Sequence, residues 1–144
     1  MEAVIQNTQI KSNSKAGLWT GRIFSGIIIL FLGFDSTIHL LNIPAVVEGS
    51  IKLGFSQPNL GVVIGAIEVI CLALYIFPRT SVFGAILLTG YLGGAIAVQL
   101  RVDAPLFSSL LFPVYMGILL WGGLYLRDSR LREIVPFRKN EENN

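Results

Sequence analysis

Charge is scarce in this chain of 144 residues: Asp, Glu, Lys and Arg make up 14% of it, where a soluble domain carries about a quarter. Cysteine is scarcer still. Cys71 stands alone, which excludes an intrachain disulfide and any two-thiol relay within one chain, and it reads as a small apolar packing residue. His39 is the one histidine, so a single chain cannot supply both axial ligands of a haem. With 53% hydrophobic residues and a mean hydropathy of +0.67, the balance excludes an ordinary water-soluble exterior and points to a membrane protein.

Long apolar runs fill the space that charge vacates. Leu60–Phe77 holds one charged residue, Val82–Leu100 and Leu106–Leu126 hold none, and Ile23–Leu41 is broken only by Asp35 and His39. A span takes roughly 20 apolar residues at about 1.5 Å each, so four transmembrane helices are predicted. The first is too long, too late and too poorly followed by small residues to be a cleaved signal peptide. The short turns PRTS and RVDAP force antiparallel neighbours. The expected fold is an all-α membrane protein, a four-helix antiparallel transmembrane bundle over residues 18–127. Residues 1–17 are read as a flexible tail and 128–144 as a basic, then polar, tail.

Nine of the eleven Lys and Arg residues fall in the terminal segments and the PRTS turn, leaving Lys52 and Arg101 for the other side. By the positive-inside rule both termini are expected in the cytoplasm. The basic stretch RDSRLREIVPFRK directly follows a span and so reads as an anchor against anionic headgroups rather than a nucleic-acid site. On the far side, Pro44 is placed to open and Gly54 to close a short interfacial helix over the mouth of the bundle, with Glu48 and Lys52 as an i,i+4 pair. Gly61-x-x-x-Gly65 and Gly90-x-x-x-Gly94 are spaced for close helix contact. Trp19, Tyr75, Trp121 and Tyr125 fall near inner span ends, where an aromatic belt belongs.

The ionisable groups inside the spans carry the functional argument. Asp35 lies about 9 Å below the outer end of the first span, His39 one turn above it on the same face, and Glu68 about 12 Å deep in the second. Tyr91 and Tyr115 fall near the same level, with Gln99 and Arg101 above them. Glu68 shares a face with Gly61 and Gly65 and is expected to look inward, since a lipid-facing carboxylate costs on the order of 3 kcal/mol or more. These residues are expected to line a polar pocket open to the outer side, beside a fourth span loosened at Pro113.

Such a layer is either a rigid network that fixes helix register or a site. As a site, a carboxylate and an imidazole suit a proton relay or a quinone, and the same carboxylates suit acid/base chemistry on a lipid-like substrate. One nitrogen and two oxygens make a weak set for a dedicated zinc site, so no metal is expected.

The stretches IEVICLALYIFPRTSVFGAILLTGYLGG and AIAVQLRVDAPLFSSLLFPVYMGILLWGGLYLRDSRLR closely resemble the DoxX-like family of small four-helix membrane proteins, over residues 20–135. The resemblance implies an accessory role. The family takes its name from a small subunit of a thiosulfate:quinone oxidoreductase, and other members join membrane oxidoreductase complexes or act as assembly factors. It also implies residence in the bacterial cytoplasmic membrane, and it matches Asp35 and Glu68 to acidic positions of the family. This chain departs from it at Gln99 and Ser109, where histidine is common, which weakens a metal or haem reading. The resemblance leaves the cofactor open, with a quinone among the candidates. The expected partners are the bilayer, a membrane oxidoreductase or other membrane protein and a second copy of the chain, with no nucleic acid among them.

Overall fold

A computed structural model describes residues 15–135, and over this range the chain is helical with no strand. Helix α1 covers Lys15–Leu40, α2 Pro44–Lys52, α3 Leu60–Ile76, α4 Ser81–Arg101, α5 Phe112–Arg127 and α6 Ser129–Ile134, with a π-helical turn at Leu106–Leu110 before α5. Most of both expected tails, residues 1–14 and 136–144, lies outside the described residues. Helix α1 begins at Lys15, and Asp128 caps α6 by accepting a hydrogen bond from the Arg130 amide at 2.9 Å.

Three stretches are long and apolar enough to cross a membrane: Lys15–Leu40, Ser81–Arg101 and Leu106–Arg127. The expected fourth, α3, is a helix of 17 residues, about 25 Å long and short of a full hydrocarbon thickness. Its exposed residues Val62, Val63, Ile67 and Ile70 are apolar, like the exposed Leu30 and Phe34 of α1 and Phe83 and Ile86 of α4. Outward-facing apolar side chains are what lipid contact requires, and an aqueous surface would expose polar ones.

Helix α1 packs on α3 and α5, and α4 packs on the same two from the other side. Glycine sets the closest of these approaches. A Cβ at Gly65 would stand 2.9 Å from the Ser36 carbonyl oxygen and the Leu40 amide, and one at Gly123 would stand 2.9 Å from the Ser25 amide. At both crossings backbone meets backbone, so the pair Gly61 and Gly65 forms the α1–α3 seam. Gly90 and Gly94, identical in spacing, meet nothing within 4 Å and face outward; the expected close contact is absent there.

The core between the helices is built from Ile28, Leu32, Leu72, Leu88, Leu120 and Leu124 around Tyr75. Tyr75 is 0% exposed, which corrects its reading as a belt residue. Its hydroxyl donates to the Leu120 carbonyl at 3.1 Å and lies 3.1 Å from the Ser25 hydroxyl, so the phenol is satisfied within the protein. Trp19 and Trp121 are not buried with it; the Trp121 indole donates to Thr89 Oγ1 at 2.9 Å.

Two local features depart from a simple helical hairpin. Helix α2 runs from Pro44, and Gly54 follows it at φ +82°, the left-handed position that glycine occupies without strain. Pro113 does not sit inside a continuous α-helix. It falls in the first turn of α5, where its missing N–H leaves no bond unmade, and the π turn before it absorbs the break, with the Pro105 carbonyl accepting from both Ser109 and Leu110.

Candidate functional site

The α1–α3 seam determines where the intramembrane polar groups meet. Because Gly65 has no side chain, the His39 Cβ settles on α3 at that point, one turn from Glu68. Asp35 lies one turn back along α1 on the same face. One ligand-type atom from each of Asp35, His39 and Glu68 lies within 4.8 Å of the other two.

His39 Nδ1 lies 2.9 Å from the Asp35 carbonyl oxygen and 3.4 Å from Asp35 Oδ2. A carbonyl oxygen can only accept, so Nδ1 carries the hydrogen and donates. The ring is thereby oriented by its own helix, and Nε2 has no hydrogen-bond partner among the described residues. A neutral ring presents Nε2 as an acceptor, and a protonated ring presents it as a donor.

Glu68 is 0% exposed. The Tyr91 hydroxyl donates to its Oε2 at 3.1 Å, while Oε1 is buried with no partner. A buried oxygen without a donor is costly, on the order of 1–3 kcal/mol, and the cost disappears when a proton or a ligand atom reaches it. Access comes from the α1 side, where the side chains of His39 and Asp35 remain 24% and 37% exposed. The cluster thus has a closed floor, Glu68 and Tyr91, and a partly open edge, Asp35 and His39.

Three of the residues grouped with these from the sequence stand apart. Gln99 and Arg101 lie more than two turns beyond Tyr91 along α4, roughly 12–15 Å away. Arg101 is committed elsewhere: its guanidinium donates to the Leu53 carbonyl at 2.6 Å and stands 5.5 Å from the Phe55 ring, tying the end of α4 to the loop after α2. Tyr115 is 43% exposed on α5, with no bond to the cluster. Asn42 went unnoticed in the sequence. It ends α1 in the left-handed region (φ 47°) and donates to the Pro58 carbonyl at 2.9 Å, holding the entrance of α3 against α1. An Asn directly after an apolar run, followed by proline, is the signal that would have marked it.

Chemically, the arrangement offers two carboxyl groups, an imidazole edge and a phenol around one point. It can hold or pass a proton, or grip a ligand oxygen. Asp35, His39 and Glu68 are the described residues that could hold a divalent cation. The family model of the DoxX-like family matches residues 23–123.

The chain belongs to the DoxX-like family. The matched region starts in α1 and ends in α5, so all four clustered residues of this DoxX-like protein lie inside it. No curated protein and no solved structure matches the chain.

Proposed function

We propose that this DoxX-like protein is a four-span subunit of the bacterial cytoplasmic membrane, that both its termini are cytoplasmic, and that it holds the polar head of a quinone or similar lipophilic ligand at Asp35, His39, Glu68 and Tyr91 in support of a membrane oxidoreductase. In this reading α3 is the fourth span of an antiparallel bundle, its shortness met by local thinning of the bilayer. The apolar exterior of α3 supports that placement. The observation that carries the ligand reading is the half-buried His39 ring, whose Nε2 has no partner among the described residues, beside two carboxyl groups, one of which keeps a buried oxygen without a donor.

His39 binds the ligand oxygen, as acceptor from a hydroxyl or donor to a carbonyl, while Asp35 holds the ring in place. Glu68 keeps a proton in reserve, with Tyr91 fixing its second oxygen. A bound quinone would supply two-electron, two-proton redox chemistry, and the electrons would come from the partner.

The test is extraction of the protein purified in mild detergent, followed by mass spectrometry of the organic phase. A stoichiometric quinone or related lipid is expected, absent from Asp35→Asn and His39→Gln, whose thermal transitions match that of the wild-type protein stripped of ligand. Failure to recover any such ligand, or its equal recovery from the variants, ends this reading. A competing one draws on the full burial of Glu68: the cluster joins α1, α3 and α4 and would then be a clasp in a non-catalytic assembly protein. A clasp predicts loss of thermal stability in the same variants.

A further inference from the structure

At the end of the helices opposite α2, four arginines converge on a cleft of about 490 Å³. Arg22 comes from α1, Arg79 from the turn between α3 and α4, Arg127 from the end of α5 and Arg130 from α6. One carboxylate, Asp128, shares the cleft, and its Oδ1 is occupied in capping α6. Among the described residues no carboxylate lies within 4 Å of any of the four guanidiniums; the Asp35–His39 contact is the only ion pair. Crowding like charges without counterions is unfavourable, and an anion in the cleft relieves it.

Part of the cleft is organised in advance. The Arg127 guanidinium stands 4.9 Å from the centre of the buried Tyr75 ring and donates to the Tyr75 carbonyl at 3.3 Å. It is therefore held by the core, and its remaining N–H groups need no ordering when a ligand arrives. The first turn of α4, which starts at Ser81 on the cleft wall, adds the positive end of a 21-residue helix. Planar forks around an anion of this kind match phosphate oxygens in pairs.

The position of the cleft selects the carrier of the phosphate. Leu18 and Leu124 form apolar parts of its wall, and Trp19 and Ile23 are exposed on the adjoining surface of α1. A phosphate seated among the arginines would leave acyl chains free to run along the apolar exterior of the spans.

We propose that this cleft is a binding site for the phosphate group of an anionic phospholipid. The proposal rests on the membrane placement given above but not on what the Asp35–His39–Glu68 cluster binds, and its test reads neither that ligand nor its loss. It also differs from diffuse attraction of a basic tail to a charged surface, because it assigns the contact to four residues from separate elements.

The protein is titrated in detergent micelles doped with phosphatidylglycerol, with phosphatidylcholine, or mixed with inorganic phosphate at matched ionic strength, and its thermal transition is followed. Phosphatidylglycerol is expected to raise the transition and the other two are not. In Arg79→Gln/Arg130→Gln, whose side chains are exposed, the lipid-free transition does not fall, since like-charge crowding is relieved, and affinity for phosphatidylglycerol drops about tenfold or more. Lys15→Gln, an exposed cation at the same end, keeps full affinity. Equal weakening by Lys15→Gln shows diffuse charge and overturns the assigned site. Stabilisation by inorganic phosphate as strong as that by phosphatidylglycerol overturns the lipid assignment in favour of a soluble phosphate compound. Absence of any phosphatidylglycerol effect overturns the proposal outright.

Discussion

Gly65 and His39 touch so closely that a Cβ on the glycine would come within 2.9 Å of the Cβ on the histidine. That contact is the hinge of the candidate site, because it fixes the level at which α1 meets α3 and so brings Asp35 and His39 to Glu68.

Gly65→Ala should therefore do more than crowd the seam. Backbone atoms of Ser36 and Leu40 cannot step aside as a side-chain tip can. We expect a loss of about 1–3 kcal/mol in chemical denaturation and a shift of α1 that separates the cluster. Gly90→Ala, at an open position with the same spacing, should be neutral or stabilising by up to about 1 kcal/mol. Equal effects at the two sites would refute the seam.

Tyr91→Phe removes the one donor that Glu68 has. Both carboxyl oxygens are then buried without a partner, and destabilisation of about 1–3 kcal/mol should follow. Combining it with Glu68→Leu removes the orphan and should recover most of that loss. A double variant no better than the single one would mean that the Tyr91 hydroxyl contributes nothing through Glu68.

At the other end, Tyr75→Phe deletes a hydroxyl that serves Ser25 and the Leu120 carbonyl at once. The expected cost is again about 1–3 kcal/mol. Tyr75→Leu should cost more, since it also removes the ring beneath Arg127. Thermal transitions of the two variants in detergent give the order, and a reversed order would contradict it.

With α3 as the proposed fourth span, both ends of the chain would lie on one side of the membrane. Reporter fusions at residues 1 and 144 should read the same compartment, and a tag in the loop after Gly54 the opposite one. Fusions reading opposite compartments would leave α3 outside the set of spans.

The parts of this fold that follow from composition and period were legible in the sequence, and so was one wall of the site. Asp35, His39 and Glu68 stood out because ionisable residues are rare in apolar runs, and Glu68 could be turned inward by its spacing from Gly65. Depth along a helix can be read by counting residues; direction around it cannot, where every face is apolar. Tyr115 and Tyr75 were both assigned the wrong azimuth: one is exposed, the other fills the core. Gly61/Gly65 and Gly90/Gly94 share one spacing, and only the partner helix distinguishes them. The arginine cleft was invisible for another reason. Its members come from α1, a turn, α5 and α6, so no window of sequence contains them together.

Every member of the cluster precedes α5: Asp35 and His39 on α1, Glu68 on α3, Tyr91 on α4. A ribosome delivering the chain from its N-terminus thus supplies the whole polar set before the last long helix is made. The charged and hydroxylated groups can find one another while α5 is still being synthesised, which shortens the time that any of them spends facing lipid alone. Helix α5 then arrives on the other side of α1, along Gly21 and Gly123, and closes the core without passing through the site.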